Sequence, residues 1–311
     1  MKIRAIATMV AILASASVAQ AQAKFPPDAD NAALRYWFAL AEVQEPPQDD
    51  ATRHLMEATL VGQAAWDESK LGPILDSNSD ALRALQEATK LPECNWGFDY
   101  RHGARMPIWF GMRARLLSRL NQLEGVREMA RGDAARAMNT WLAGIHFAQD
   151  VARGGPVIVA LIANAIFLDN LQPLRNNAQL GKFGESQKKE LQAVANVMPE
   201  DGFDWGAAWG VEFAIGDKAL QEPSMTGKPE SDERIRAYDE YMLAAQSALR
   251  DPPNKASSRL GNLESEERSL GDVERRVIPS LRTVMEARIR LAAEHHDLIQ
   301  ALAQKQSSAA R

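Results

Sequence analysis

Two stretches of this chain bring together residue types that can do chemistry. Between Pro92 and Pro107, the segment Cys94 to Arg105 carries Trp96, Asp99, Tyr100, His102 and Arg105. A carboxylate, an imidazole and a guanidinium on one loop can orient an anionic or hydroxylated ligand, and His102 can act as acid or base near neutral pH. The same residues also suit packing: Trp96, Phe98 and Tyr100 would plug a helical bundle while Asp99 caps backbone amides and Arg105 pairs with it. Aromatic residues more often turn inward than outward, which favours the plug.

The second stretch is Asp204, Trp205, Trp209, Glu212 and Phe213. Trp205, Trp209 and Phe213 recur every four residues and form one stripe of a helix, with Glu212 beside it. Exposed in a cleft, two indoles next to a carboxylate would stack on a sugar ring or an organic cation. Buried, they are a large core contact, the commoner fate of such a stripe. Glycoside hydrolysis would need a second carboxylate at a suitable distance, and Asp204 points elsewhere on a helix.

His295 and His296 are the only adjacent histidines. Neighbours on a helix point about 100° apart and do not converge on one metal. His54, His102 and His146 are isolated in sequence. Cys94 is the single cysteine, so cysteine-cluster zinc sites, CxxC redox motifs and intrachain disulfides are excluded. The chain has no G-x-S-x-G elbow, phosphate loop, H-E-x-x-H pair or complete calcium loop, so neither a metal nor a cofactor is expected.

Helices must position these residues. Apolar residues recur at spacings of three and four almost throughout, which predicts an all-α fold of antiparallel helical hairpins stacked as a bundle or short α-α array. Trp109, Met112, Leu116, Leu120, Leu123 and Ala130 make one expected core stripe, ending near Arg127, Arg131 and Gly132. Asp133 is the expected N-cap of the next helix, whose stripe runs Ala134, Ala137, Met138, Trp141, Ile145 and Ala148. Gly154, Gly155 and Pro156 separate it from an apolar stretch, Pro156 to Leu168, which is too short to span a bilayer and carries Asn164.

Further helices are expected over 29–44, 50–65, 80–90, 185–198, 203–221 and 231–250. Polar, breaker-rich loops are expected over Glu222 to Glu230 and Asp251 to Ser258. After them, Leu281, Met285, Ile289, Ala292, His296 and Ile299 predict a long C-terminal helix, with Pro279 marking a fresh start. That helix is expected either to lie across the bundle or to pair with a second copy of the chain.

The hairpin 109–152 resembles a tetratricopeptide unit. Gly125, Gly132, Ala137, Trp141 and Gly144 fall where that repeat places its small residues and its large aromatic, while Asn121 and Glu128 depart from it. No second copy recurs at about 34 residues, the spacing that lets neighbouring repeats bury each other. More widely, Asn31-Ala32-Ala33-Leu34-Arg35-Tyr36-Trp37, the segment Pro92 to Tyr100 and the turn Ala130-Arg131-Gly132-Asp133 resemble a group of uncharacterised exported all-helical bacterial proteins. This resemblance implies fold and export, and no site.

Residues 1–23 read as a signal peptide. Lys2 and Arg4 precede an apolar Ala5 to Val18, and Ala21-Gln22-Ala23 is a small-x-small cleavage site. The expected division is therefore 1–23 signal peptide, 24–255 helical domain and 256–311 C-terminal helical segment. Export points to the periplasm first and the extracellular space second.

The full chain has 36 basic and 41 acidic residues, a net charge of −5. Removing 1–23 takes away two bases and no acids, and a net charge of about −7 argues against nucleic acid or an anionic membrane as partner. With no transmembrane segment expected after cleavage, the leading function is non-catalytic binding of a protein or peptide. The alternatives are a hydrolase of envelope or imported polymer using His102 or carboxylates, and an assembly subunit that pairs through the C-terminal helix.

Overall fold

Twelve helices and no strand form the described part of the computed structural model, which covers residues 27–99, 108, 110–221, 231–267, 270 and 278–303. The expected signal peptide, the loop 222–230 and Trp109 lie outside the described residues. The first four helices, α1 (Ala32–Glu42), α2 (Asp50–Leu60), α3 (Glu68–Ser77) and α4 (Ser79–Ala88), lead to a central trio: α5 (Phe110–Ala130), α6 (Ala134–Ala152) and α7 (Val157–Gln179). Then come α8 (Glu185–Val197), α9 (Trp205–Gln221), α10 (Asp232–Leu249), α11 (Pro253–Glu267) and the C-terminal α12 (Leu281–Ala303).

The turn between α5 and α6 forms where the sequence places it. Gly132 has φ +83°, a conformation that costs a glycine little, and Asp133 accepts from the Arg136 amide at 3.0 Å. Ala137, Met138, Trp141, Ile145 and Ala148 are all buried. Trp141 lies against the backbone of α5, where a Cβ on Gly125 would stand 2.3 Å from the indole nitrogen, and that nitrogen donates to the Gln122 carbonyl at 3.1 Å.

The stripe expected on α5 is rotated. Met112 is 80 % exposed and Ala130 is also exposed, whereas Phe110, Ala114, Leu117, Leu120 and Leu123 are buried. The cause is enclosure on several sides by α1, α4, α6 and α7, which buries polar residues as well. Asn121 donates to Thr140 O at 2.8 Å and to Asn170 Oδ1 at 3.1 Å, and Asn170 donates to Ser118 Oγ at 3.0 Å. Buried amides are tolerated because they are hydrogen-bonded. Arg127 does not merely complement the helix end: it holds Glu68 at 2.7 Å and Asp76 at 2.8 Å, tying α5 to α3.

Two elements depart from the expected map. Helix α3 forms between the expected helices, despite Gly72 and Pro73, because Asp67 caps it by accepting from Ser69 and Lys70 amides. The expected loop Asp251 to Ser258 is instead mostly helix. Pro253 occupies the first turn of α11, where its missing N–H costs nothing, and Ala256, Leu260 and Leu263 are buried.

Two hydrophobic clusters result. One gathers α1 to α8 with the C-terminal half of α12, including Leu291 and Leu298. The other gathers α9, α10, α11, Val157 and Ala160 of α7, and Leu281, Val284 and Met285 of α12. The C-terminal helix therefore lies across the bundle and joins both clusters. Its buried face is Leu281, Val284, Met285, Arg288, Leu291, His295 and Leu298, so the expected Ile289 and His296 point outward instead. Arg288 lies on this inward face and meets Asp201 at 2.7 Å.

Among the described residues, α7 alone is long and apolar enough to cross a membrane, and 61 % of its apolar window is packed inside the protein. It serves as the bundle's central core helix.

Candidate functional site

The first sequence candidate divides. Tyr100, His102 and Arg105 lie outside the described residues. Trp96 is 5 % exposed and packs in a ring cluster, 5.6 Å from Tyr36, 5.3 Å from Trp37 and 5.6 Å from Phe110. Its indole donates to the Asp150 carbonyl at 2.6 Å, so Trp96 plugs the bundle and offers no face to a ligand. Asp99 is half-buried at the end of this segment. The segment is fastened by Asn31, which caps α1 through the Ala33 amide and exchanges hydrogen bonds with Asn95 at 2.9 and 3.1 Å.

Behind the plug sits a polar cluster absent from the sequence candidates. Asp150, 1 % exposed, accepts from the Tyr36 hydroxyl at 2.8 Å. Arg153 approaches its other oxygen at 3.3 Å and His146 Nε2 stands 3.8 Å away. Burial pushes the Asp150 carboxyl above the ordinary range, against the pull of Tyr36, His146 and Arg153. Burial likewise raises the Tyr36 hydroxyl and the Cys94 thiol, leaving Cys94 a protonated, unreactive group. No local spacing announces this cluster, because Tyr36 and Asp150 are 114 residues apart.

The second candidate is corrected. Trp205 is 1 % and Trp209 0 % exposed, so the stripe is core and does not stack on a ligand. Trp209 donates to Met242 O at 3.1 Å, fixing α9 against α10. Glu212 is turned away to accept from the Val157 amide at 3.1 Å. It caps α7, whose own N-cap, Pro156, has no side chain to do so. Burial raises the Glu212 carboxyl, and the Val157 bond opposes that rise.

Asp204 and Trp205 do reach an opening, at the start of α9 rather than along its stripe. A cleft of about 540 Å³ lies between the α8–α9 turn, the α10–α11 turn and α12. Its walls include Phe203, Trp205, Leu249, Pro199 and Pro252, and its charged groups are Glu200, Asp201, Asp204, Arg250, Asp251 and Arg288. Arg288 is 2 % exposed; Nε and NH2 both meet Asp201 Oδ2 at 2.7 Å, and NH2 also donates to Asp251 O at 2.7 Å. A charge so deeply buried persists only when paired in this way. Burial raises the Asp201 carboxyl and the Arg288 guanidinium opposes it. Trp205 donates to Asp201 O at 2.9 Å, which holds the turn against the helix it precedes.

Sequence reasoning placed Asp204 and Trp205 together but missed Asp201 and Arg288. The run Pro199-Glu200-Asp201-Gly202 marks a polar turn, yet only the fold brings Arg288 to it from α12. His295 is buried against Ala195 O at 2.8 Å, whereas His296 is exposed beside Gln300 Nε2 at 2.7 Å, so the adjacent histidines do not converge. Among the described residues no group of three histidine, cysteine or acidic side chains is placed to hold a metal.

Fold and cleft together define an all-helical protein with a recess, lined by apolar and charged residues, between the α8–α9 turn, the α10–α11 turn and its C-terminal helix. Comparison with protein families, curated proteins and solved structures finds no match.

Proposed function

We propose that this chain is an exported, non-catalytic helical protein that binds a peptide or a segment of another protein in the cleft beside Asp201 and Arg288. The supporting observation is the cleft itself: about 540 Å³, lined in near-equal parts by apolar and charged residues, with Arg288 and Asp201 fixed by their pairing. The Arg288–Asp201 pair keeps the recess preorganised, which lowers the entropic cost of binding. The basic start, apolar core and Ala21-Gln22-Ala23 site of the first 23 residues support export.

The test is site-specific photocrosslinking in the producing cell, with a photoreactive amino acid at Asp204 and, as control, at exposed Gln63. Binding in the cleft gives a discrete adduct from position 204 in the envelope fraction and none from position 63. Equal adducts from both positions, or none from 204, contradict the reading.

A further inference from the structure

We infer that segment 93–99 is a pH-dependent strap, held on α6 while the Asp150 side chain is protonated and released when it ionises. The segment and the start of α1 form one unit. The Ala32 amide donates to Glu93 O at 2.8 Å, the Glu93 amide donates to Asp30 O at 3.2 Å, and Asn31 and Asn95 exchange two further hydrogen bonds. Three side chains of this unit meet α6 at the same residue. The Trp96 indole donates to the Asp150 carbonyl at 2.6 Å, the Cys94 sulfur lies 3.9 Å from that carbonyl, and the Tyr36 hydroxyl donates to Asp150 Oδ2 at 2.8 Å.

Asp150 is 1 % exposed, so its charge is balanced only by the groups that face it. These are Tyr36 from α1, Cys94 from the segment, and His146 and Arg153 from α6 and its C-terminal end. Tyr36 and Cys94 are neutral, because burial raises both hydroxyl and thiol. Arg153 stands 3.3 Å from Oδ1 and His146 Nε2 stands 3.8 Å from Oδ2, yet their side chains are 48 % and 40 % exposed, and water weakens the compensation they give.

Burial accordingly raises the Asp150 carboxyl in spite of these partners. Lifting the segment admits water, which favours the ionised form. A carboxyl that holds its proton more tightly in the closed state stabilises that state fully below the ordinary carboxylate range. The contribution is lost as pH rises through the closed-state value. Segment 93–99 therefore loosens from α6 as pH rises toward neutrality, while the rest of the bundle stays folded.

The experiment follows hydrogen exchange of the Trp96 indole N–H by NMR, with protection measured against free N-acetyltryptophanamide at the same pH. The Trp209 indole, bonded to Met242 O in the second hydrophobic cluster, reports global unfolding in the same spectra. Trp96 is expected to be less protected than Trp209 throughout. Its protection is expected to fall about tenfold from about pH 4.5 to about pH 8, equivalent to ~1.4 kcal/mol of proton linkage.

Asp150→Asn keeps the shape and cannot ionise, so its Trp96 protection is expected to stay level across the range. Arg153→Gln alters a half-exposed side chain and removes a cation from the carboxylate, so the fall is expected to grow and to extend to higher pH. Wild-type Trp96 protection that does not change with pH, or that equals that of Trp209 at every pH, overturns the strap. Should Asp150→Asn not fold, an Arg153→Gln profile identical to that of the wild type overturns the assignment to Asp150.

Discussion

Tyr36 and Asp150 meet inside the protein through a 2.8 Å hydrogen bond that joins the first helix to the end of α6. The carboxylate is buried, and its partners are one hydroxyl, the flanking Arg153 and, at 3.8 Å, His146. Tyr36→Phe removes the hydroxyl and leaves the shape, so the cost is that of a buried charge losing a donor. Stability should fall by about 1–3 kcal/mol in urea unfolding. A change below a few tenths would mean that the hydroxyl carries none of the coupling between these helices.

The same cluster belongs to a wider pattern with a consequence for pH. Burial raises the carboxyls of Glu128, Asp150, Asp169, Asp201, Glu212 and Asp239. A group raised in the folded state binds its proton more tightly there than when unfolded. Its contribution is full below the unfolded value and is lost as pH rises through the folded one. The melting temperature should therefore rise as pH is lowered from neutrality toward the ordinary carboxylate range.

Below that range the opposite set takes over. Hydrogen bonds lower Asp49 and Asp67, and Arg127 with Trp66 lowers Glu68 to about 2. These groups stabilise above their unfolded values and lose that contribution as pH falls from about 4.5 toward 2. Melting curves from pH 3 to 8 should show a maximum on the acidic side of neutrality; a steady fall in stability from pH 7 downward would contradict the balance of buried carboxyls.

Helix contact in the central trio depends on two missing side chains. A Cβ at Gly144 would fall 2.1 Å from Asn170 Oδ1, and one at Gly125 would fall 2.3 Å from Trp141 Nε1. Gly144→Ala and Gly125→Ala should each destabilise by about 1–3 kcal/mol through overpacking, measured by urea unfolding. Substitution at Gly62, where no atom lies within 4 Å, meets no such crowding and serves as the comparison, although its positive φ adds strain of its own.

How far the sequence reaches is visible in the same helices. The stripe of α6 was legible because Ala137, Met138, Trp141, Ile145 and Ala148 recur at helical spacing and all turn inward. On α5 spacing fails: Ser118 and Asn121 are buried with hydrogen bonds to other helices, Gln122 is buried beside them, and polarity no longer marks the outer face. The same limit hid Arg288, whose inward turn requires Asp201, 87 residues away. Helix α11 was masked by Pro252 and Pro253, which read as breakers although the second opens the helix. Of the candidate site, Asp204 and Trp205 were legible as neighbours; the cleft they border depends on three segments that only the fold assembles.

The aromatic stripe of α9 separates core from recognition. Trp209 is fully buried and bonded to Met242 O, so Trp209→Ala should cost about 3–5 kcal/mol and broaden or abolish the unfolding transition. A variant that keeps wild-type stability would place Trp209 outside the core.

The most direct test of peptide recognition follows the two indole N–H signals of α9 by NMR as a pool of hexapeptides of randomised sequence is added. Trp205 donates to Asp201 O at the cleft, and Trp209 donates to Met242 O in the core. Binding in the cleft predicts a saturable shift of the Trp205 signal while that of Trp209 stays in place. A Trp205 signal that does not move, in a protein that remains folded, would contradict the account.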